Sequence, residues 1–198
     1  MEKSDDVKKV RVHPLAIASI CDHYTRVSMG GTILKPSDPV VGLLFGTQSG
    51  LTVEIIDATD AIYTVSATGE VQLDQAANFP NPLEPKNKNN KTDLIIAPFA
   101  YMQYELLGWY TLSASTEPAP WCMDIHRQIR SFNEAPLFLL MNHSPQPYSK
   151  QLPLSIFDTE THTLSSGENS EAFTSLSFGL ETSQTERISV DQVRPNRL

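Results

Sequence analysis

The sequence predicts a single α/β domain with a central mixed β-sheet flanked by a few helices, and three observations predict it. Short apolar runs bounded by turn residues recur along the chain as strands. Two segments that open on proline carry a helical apolar stripe. No segment repeats, so a repeat architecture is excluded. At 198 residues the chain suits one domain, and 40 % apolar with 19 % charged residues is an ordinary globular composition.

The elements follow in order. Residues 1–8 are charged and poor in apolar side chains, so a disordered N-terminal segment is expected ahead of a domain spanning 9–193, with 194–198 opening a tail. Val10 and Val12 alternate with polar neighbours as in a strand. Pro14 then suits the first position of a helix, where its missing N–H costs little, and Ile17, Ile20, Cys21 and Tyr24 form one face of it. Val40–Gly46 is continuously apolar, a strand covered on both faces, and the turn at 47–50 leads into a partner strand over Leu51–Ile56. Asn78–Lys91 carries three prolines among Asn, Lys and Glu, and is expected to be a mobile loop.

Asp93–Leu106 suits a helix by periodicity, but Pro98 would break it, so the regular part should begin near that proline. Leu107–Ser113 reads as a strand. A second helix should begin at Pro120 and bury Cys122, Ile125, Ile129 and Phe132, with Asp124, Arg127, Gln128 and Ser131 turned elsewhere. Leu137–Met141, Leu152–Phe157 and Ala172–Leu180 complete the strands, with Leu176, Phe178 and Leu180 alternating inward.

Charge and composition exclude several functions. A net charge of −8 argues against a nucleic-acid or anionic-membrane partner, which calls for clustered Lys and Arg. No apolar run reaches the length of a membrane span, and the charged N-terminus is unlike a secretory signal. Cys21 and Cys122 therefore read as reduced thiols of the cytoplasm or nucleus. No Gly-rich phosphate loop, nucleophile elbow or H-E-x-x-H pair is present.

Four stretches together resemble the MPN family: His13-Pro14-Leu15, Val41–Gly46, Leu107-Gly108-Trp109-Tyr110 and Glu186–Asp191. Ala135–Leu139 and Leu152–Phe157 are more similar to the COP9 signalosome branch of that family than to its proteasome-lid and translation-initiation branches. The resemblance implies an MPN (JAMM-like) fold that continues, in relatives, into a C-terminal helical segment.

Active members of the family are zinc isopeptidases. They carry a general-base Glu ahead of the Gly-Leu strand, and H-x-H-x7-S-x2-D directly after Gly-Trp-Tyr. Two His and the Asp hold the ion, water takes the fourth position, and the Glu accepts the water's proton. Carried over residue by residue, the two His positions fall on Thr111 and Ser113, the Ser on Trp121, and the Glu on Pro39, with Asp38 as its neighbour. Asp124 alone retains its type. Neutral hydroxyls are poor zinc ligands and one carboxylate does not assemble a site, so no metal, no cofactor and no catalytic residue is expected.

What the resemblance implies is a pseudo-enzyme that works as a scaffold. Its partners would be an active MPN subunit and the other subunits of a complex that removes a ubiquitin-like modifier from cullins. A sibling scaffold of the proteasome lid or of initiation factor 3, and an active isopeptidase with a degenerate motif, are the alternatives.

Individual residues are weighed against plain structural roles. Asp124 reads as a helix-end or loop hydrogen-bonding group, and His126 as a solvated histidine, since i and i+2 point to different helix faces. His13, His23, His143 and His162 show no ligand spacing, and Cys122 reads as core. Phe99, Tyr101 and Met102 are either core or part of a partner surface, because the apolar content there exceeds what one buried helix face needs. Trp121 either fills the former metal pocket beside Thr111 and Ser113, whose hydroxyls then bond backbone or Asp124, or swings outward between Pro118 and Pro120.

Overall fold

The computed structural model describes residues 8–30, 38–79, 104–144, 152–163 and 169–181. Residues 80–91 of the expected loop, the segment near Pro98 with Phe99, Tyr101 and Met102, and Glu186–Asp191 lie outside the described residues.

The chain opens with β1 (Lys9–Val12) and α1 (Pro14–Ser28), the helix starting on the expected proline. Next come β2 (Val41–Ser49), β3 (Thr52–Asp60), β4 (Tyr63–Val65), β5 (Val71–Leu73) and the single turn α2 (Gln75–Asn78). Then follow β6 (Glu105–Ser113), α3 (Cys122–Ile129), β7 (Leu137–Asn142), β8 (Leu154–Thr163), β9 (Asn169–Leu176) and β10 (Phe178–Leu180).

The main sheet has the order β10-β1-β3-β2-β6-β7-β8-β9, and β4 pairs with β5 alone. It is mixed: β1 runs parallel to both β3 and β10, and β6 parallel to β7, while the other pairs are antiparallel. Only Ser177 separates β9 from β10, yet the two lie at opposite ends of that order. Three residues of extended chain span about 10 Å at most, so the sheet curls until its two edges are neighbours. The expected strand Ala172–Leu180 is therefore two strands, one for each edge. Leu176 and Phe178 pack on the core as anticipated, but Leu180 is 52 % exposed because the last edge leaves it uncovered.

Because side chains alternate across a strand, each central strand feeds two cores. Leu44, Tyr110, Leu139 and Ile156 face the α1 side, and Leu43, Trp109, Phe138 and Phe157 the α3 side. The first six residues of β2 are accordingly all buried, which accounts for their continuous apolarity. The hairpin turn is tighter than expected. Strand β2 runs on to Ser49, and Gly50 turns the chain at φ +58°, a value glycine adopts without strain.

Several expected faces are corrected. On α1 the buried stripe is Ala16, Ile20, His23 and Val27, at spacing i, i+4, i+7 and i+11, which leaves Cys21 exposed and Ile17 and Tyr24 half-buried. Helix α3 begins at Cys122, two residues past Pro120. The chain turns through Pro120 and Trp121, whose carbonyls accept from Met123 and Asp124. It ends at Ile129, so Phe132 escapes the helical face and is 42 % exposed, stacked on Phe79. Asn78 belongs to α2. Buried, it accepts from Ile62 N–H and donates to the Ile62 and Asp74 carbonyls, so the anchored chain reaches past the expected start of the loop.

Among the described residues no helix is long and apolar enough to cross a membrane.

Candidate functional site

The site is built around the ends of β2 and β6. Gly42 faces the Tyr110 ring, and any side chain there would collide with it. A Cβ at Gly108 would strike the Leu137 carbonyl, so β7 closes on β6 only over a glycine. These approaches fix Trp109 and Tyr110 fully buried on opposite faces of β6. Tyr110 places its hydroxyl 2.7 Å from Nδ1 of His23, which also lies 3.4 Å from the Asp60 carboxylate. Burial lowers the His23 pKa, with Asp60 opposing it. Asp60 in turn is gripped by both terminal nitrogens of Arg26, at 2.7 and 2.9 Å.

A cleft of about 310 Å³ opens where β6 leaves the sheet, and Pro39, Thr111, Ser113 and Trp121 stand in its wall. Four of the five positions singled out by motif spacing thus share one cleft. Asp124 does not join them. It projects from the exposed face of α3 and pairs with Arg127 at 3.3 Å.

Several groups around the cleft make bonds of their own. The buried Thr111 hydroxyl donates to the Val40 carbonyl at 2.7 Å. The Pro39 carbonyl accepts from the Tyr63 hydroxyl. Ser113 Oγ accepts from Ser115 N–H, and Ser115 Oγ from Glu117 N–H, each at 3.0 Å, so the hydroxyls shape the loop that leads into α3. Trp121 is half-buried and packs toward the α3-side core, its ring 6.4 Å from that of Trp109. It forms a wall of the cleft, and the space beside it stays open. Of the two bonding arrangements anticipated for the hydroxyls, Thr111 adopts the backbone one.

These donors do not fit zinc. The Thr111 hydroxyl is neutral and spent on a carbonyl, a proline stands at the general-base position, and Asp124 faces away toward an arginine, while Asp38 and His143 also line the cleft. Among the described residues no group of three or more His, Cys, Asp or Glu side chains is arranged to hold a metal ion. Cys122, in the cleft floor, is 1 % exposed, and burial pushes its thiol up to about 11.

His126 is the clear correction. Expected in solvent, it is completely buried between α3 and the sheet. The indole N–H of Trp109 donates to its Nδ1 at 3.2 Å, and its Nε2 lies 2.9 Å from the Thr159 hydroxyl. Burial, helped by Arg130, lowers its pKa to about 4. Its place was readable from periodicity: Cys122, Ile125, His126 and Ile129 fall at i, i+3, i+4 and i+7, a stripe that includes the histidine. Gln128 was also expected to turn away, yet it clamps β5 by accepting from Leu73 N–H and donating to the Val71 carbonyl. His143 stacks on Tyr24, with ring centroids 5.1 Å apart.

Comparison with known proteins accords with this geometry. The family model described as JAB1/Mov34/MPN/PAD-1 ubiquitin protease matches residues 5–135. COP9 signalosome complex subunit 6a of Arabidopsis thaliana is 30 % identical over 200 residues, covering 92 % of this chain and 57 % of that protein. Subunit 6 of Dictyostelium discoideum is 29 % identical over 185 residues, with 93 % and 53 % covered. Subunit 6 of Drosophila melanogaster is 30 % identical over 189 residues, with 93 % and 48 % covered. The chain spans about half the length of these curated relatives. Its curled mixed sheet and a family match over most of its length lead to one conclusion: this chain belongs to the JAB1/Mov34/MPN/PAD-1 family.

Proposed function

We propose that this chain is a non-catalytic MPN subunit of a COP9 signalosome, acting as a scaffold in the complex that removes a ubiquitin-like modifier from cullins. Its direct partner is the catalytically active MPN subunit, in a heterodimer that the other signalosome subunits hold in place in the cytoplasm and nucleus. The observation that carries this reading is the state of the motif positions: Thr111 is bonded to Val40, and Asp124 lies outside the cleft, paired with Arg127. Positions Pro39, Thr111, Ser113, Trp121 and Asp124 are read as the remains of a metal motif in which Asp124 alone keeps its type. With proline at the general-base position and no metal-holding group of side chains among the described residues, we place function in a surface. The names of the relatives support the signalosome over the proteasome lid or the initiation-factor complex.

The domain is taken to span residues 9–193, and Phe99, Tyr101 and Met102 are candidates for part of the partner surface. Co-purification of the full-length protein from its own cells tests the proposal. Recovery of an active MPN subunit with other signalosome subunits is expected. Recovery of proteasome-lid or initiation-factor subunits in their place would overturn it.

A further inference from the structure

A chain of directional hydrogen bonds crosses the protein just behind the cleft. Trp109 lies on β6, His126 on α3 and Thr159 on β8, so three elements far apart in sequence meet at one imidazole. An indole nitrogen only donates, so Nδ1 of His126 accepts. The ring proton then sits on Nε2, which donates to Thr159. The ring is wholly buried, and Phe173 on β9 meets it edge-on at 5.2 Å. A buried imidazole satisfied at both nitrogens holds its neighbours in register, because releasing either bond strands a polar group away from water.

We propose that the Trp109–His126–Thr159 chain is a metal-free cross-link that fixes α3 on the sheet. It would take over the work of the ion that, in zinc-binding members of the family, ties the end of this strand to this helix. The substitution for the ion rests on the proposed loss of the metal motif, whereas the hydrogen-bonded geometry stands without it.

The other ties of α3 differ in kind. Arg127 and Arg130 reach Glu171 on β9 from the partly exposed side of the helix, and Gln128 holds only the small β4–β5 pair. His126 alone among these side chains joins the helix to two strands of the main sheet from the buried side.

The discriminating variant is Thr159→Val, which keeps the shape of the side chain and removes the hydroxyl that Nε2–H needs. Amide hydrogen exchange on the full-length protein should show at least a tenfold loss of protection over Ile125–Ile129, with β2 and β3 amides unchanged. Chelator treatment of the unsubstituted protein should leave protection of α3 as it was. Nitrogen NMR should find the Nε2–H tautomer of His126 at neutral pH. Should Thr159→Val fold too poorly to measure, the tautomer and the chelator response of the unsubstituted protein still decide. Unchanged α3 protection in the variant, an equal loss in β2 and β3, an Nδ1–H tautomer, or loosening of α3 by chelator would each overturn the proposal. A pull-down that recovered no signalosome subunit would leave these measurements untouched, so the two readings fail separately.

Discussion

Thr111 donates its hydroxyl to the carbonyl of Val40 across 2.7 Å, and this bond engages the residue that the proposal places at the first ligand position. The hydroxyl is buried and joins β6 to the entrance of β2. Thr111→Val keeps the volume but leaves the Val40 carbonyl without this donor, which should cost about 1–3 kcal/mol of unfolding free energy. Thr111→Ser, which retains the donor, should cost less. Urea denaturation of both variants checks the ordering, and a Val variant as stable as the parent would show that the bond contributes nothing.

Restoring the two histidines alone should not restore the metal. In Thr111→His with Ser113→His, Trp121 still stands in the cleft wall and Asp124 still faces Arg127. Zinc titration should therefore show no tight binding, and adding Trp121→Ser should strengthen it. Tight zinc binding by the double-histidine variant with Trp121 intact would sink this reading.

Stability should fall on acidification through His126. Its folded pKa of about 4 lies below the ordinary 6.5 of an unfolded histidine, because burial and Arg130 oppose the charge more than Glu171 and Asp158 favour it. Between those values the unfolded chain binds the extra proton. The stabilisation is therefore complete above pH 6.5 and drains away toward pH 4, by about 3 kcal/mol at most. His126→Phe should flatten that part of the stability–pH curve. An equal slope in parent and variant would assign the loss to other groups.

The two thiols should react at very different rates. Burial disfavours both thiolates, but Cys122 is enclosed whereas Cys21 is exposed on α1. Alkylation of the native protein at pH 8 should label Cys21 first and reach Cys122 only on denaturation. Equal rates would mean that α3 does not cover its cysteine as described.

Much of this architecture was legible in the sequence, for reasons that particular residues make plain. Pro14 marks a helix start by its chemistry, and the unbroken Val40–Gly46 run marks a strand between two cores. Closure of the sheet was not legible. Strand periodicity gives the faces of Ala172–Leu180 but says nothing of partners, so the change of edge at Ser177 left no local sign. The buried histidines were missed because their partners are remote in sequence. His23 meets Tyr110, and His126 meets Trp109 and Thr159. A histidine on a helical stripe is better read as core when a distant hydroxyl or indole is able to satisfy it. Motif spacing named Pro39, Thr111, Ser113 and Trp121, which line one cleft, but Trp121 stands in its wall and does not fill it, and spacing gives no side-chain direction. The outward turn of Asp124 was legible in the helical pattern, because it lies off the apolar stripe of α3 together with Arg127, with which it pairs.

The central claim is that the cleft no longer supports metal chemistry, and elemental analysis of the purified full-length protein tests it most directly. Zinc should be far below one equivalent per chain, and unaffected by restoring zinc during purification. One equivalent of zinc, removed by chelator and regained on dialysis, would contradict the account.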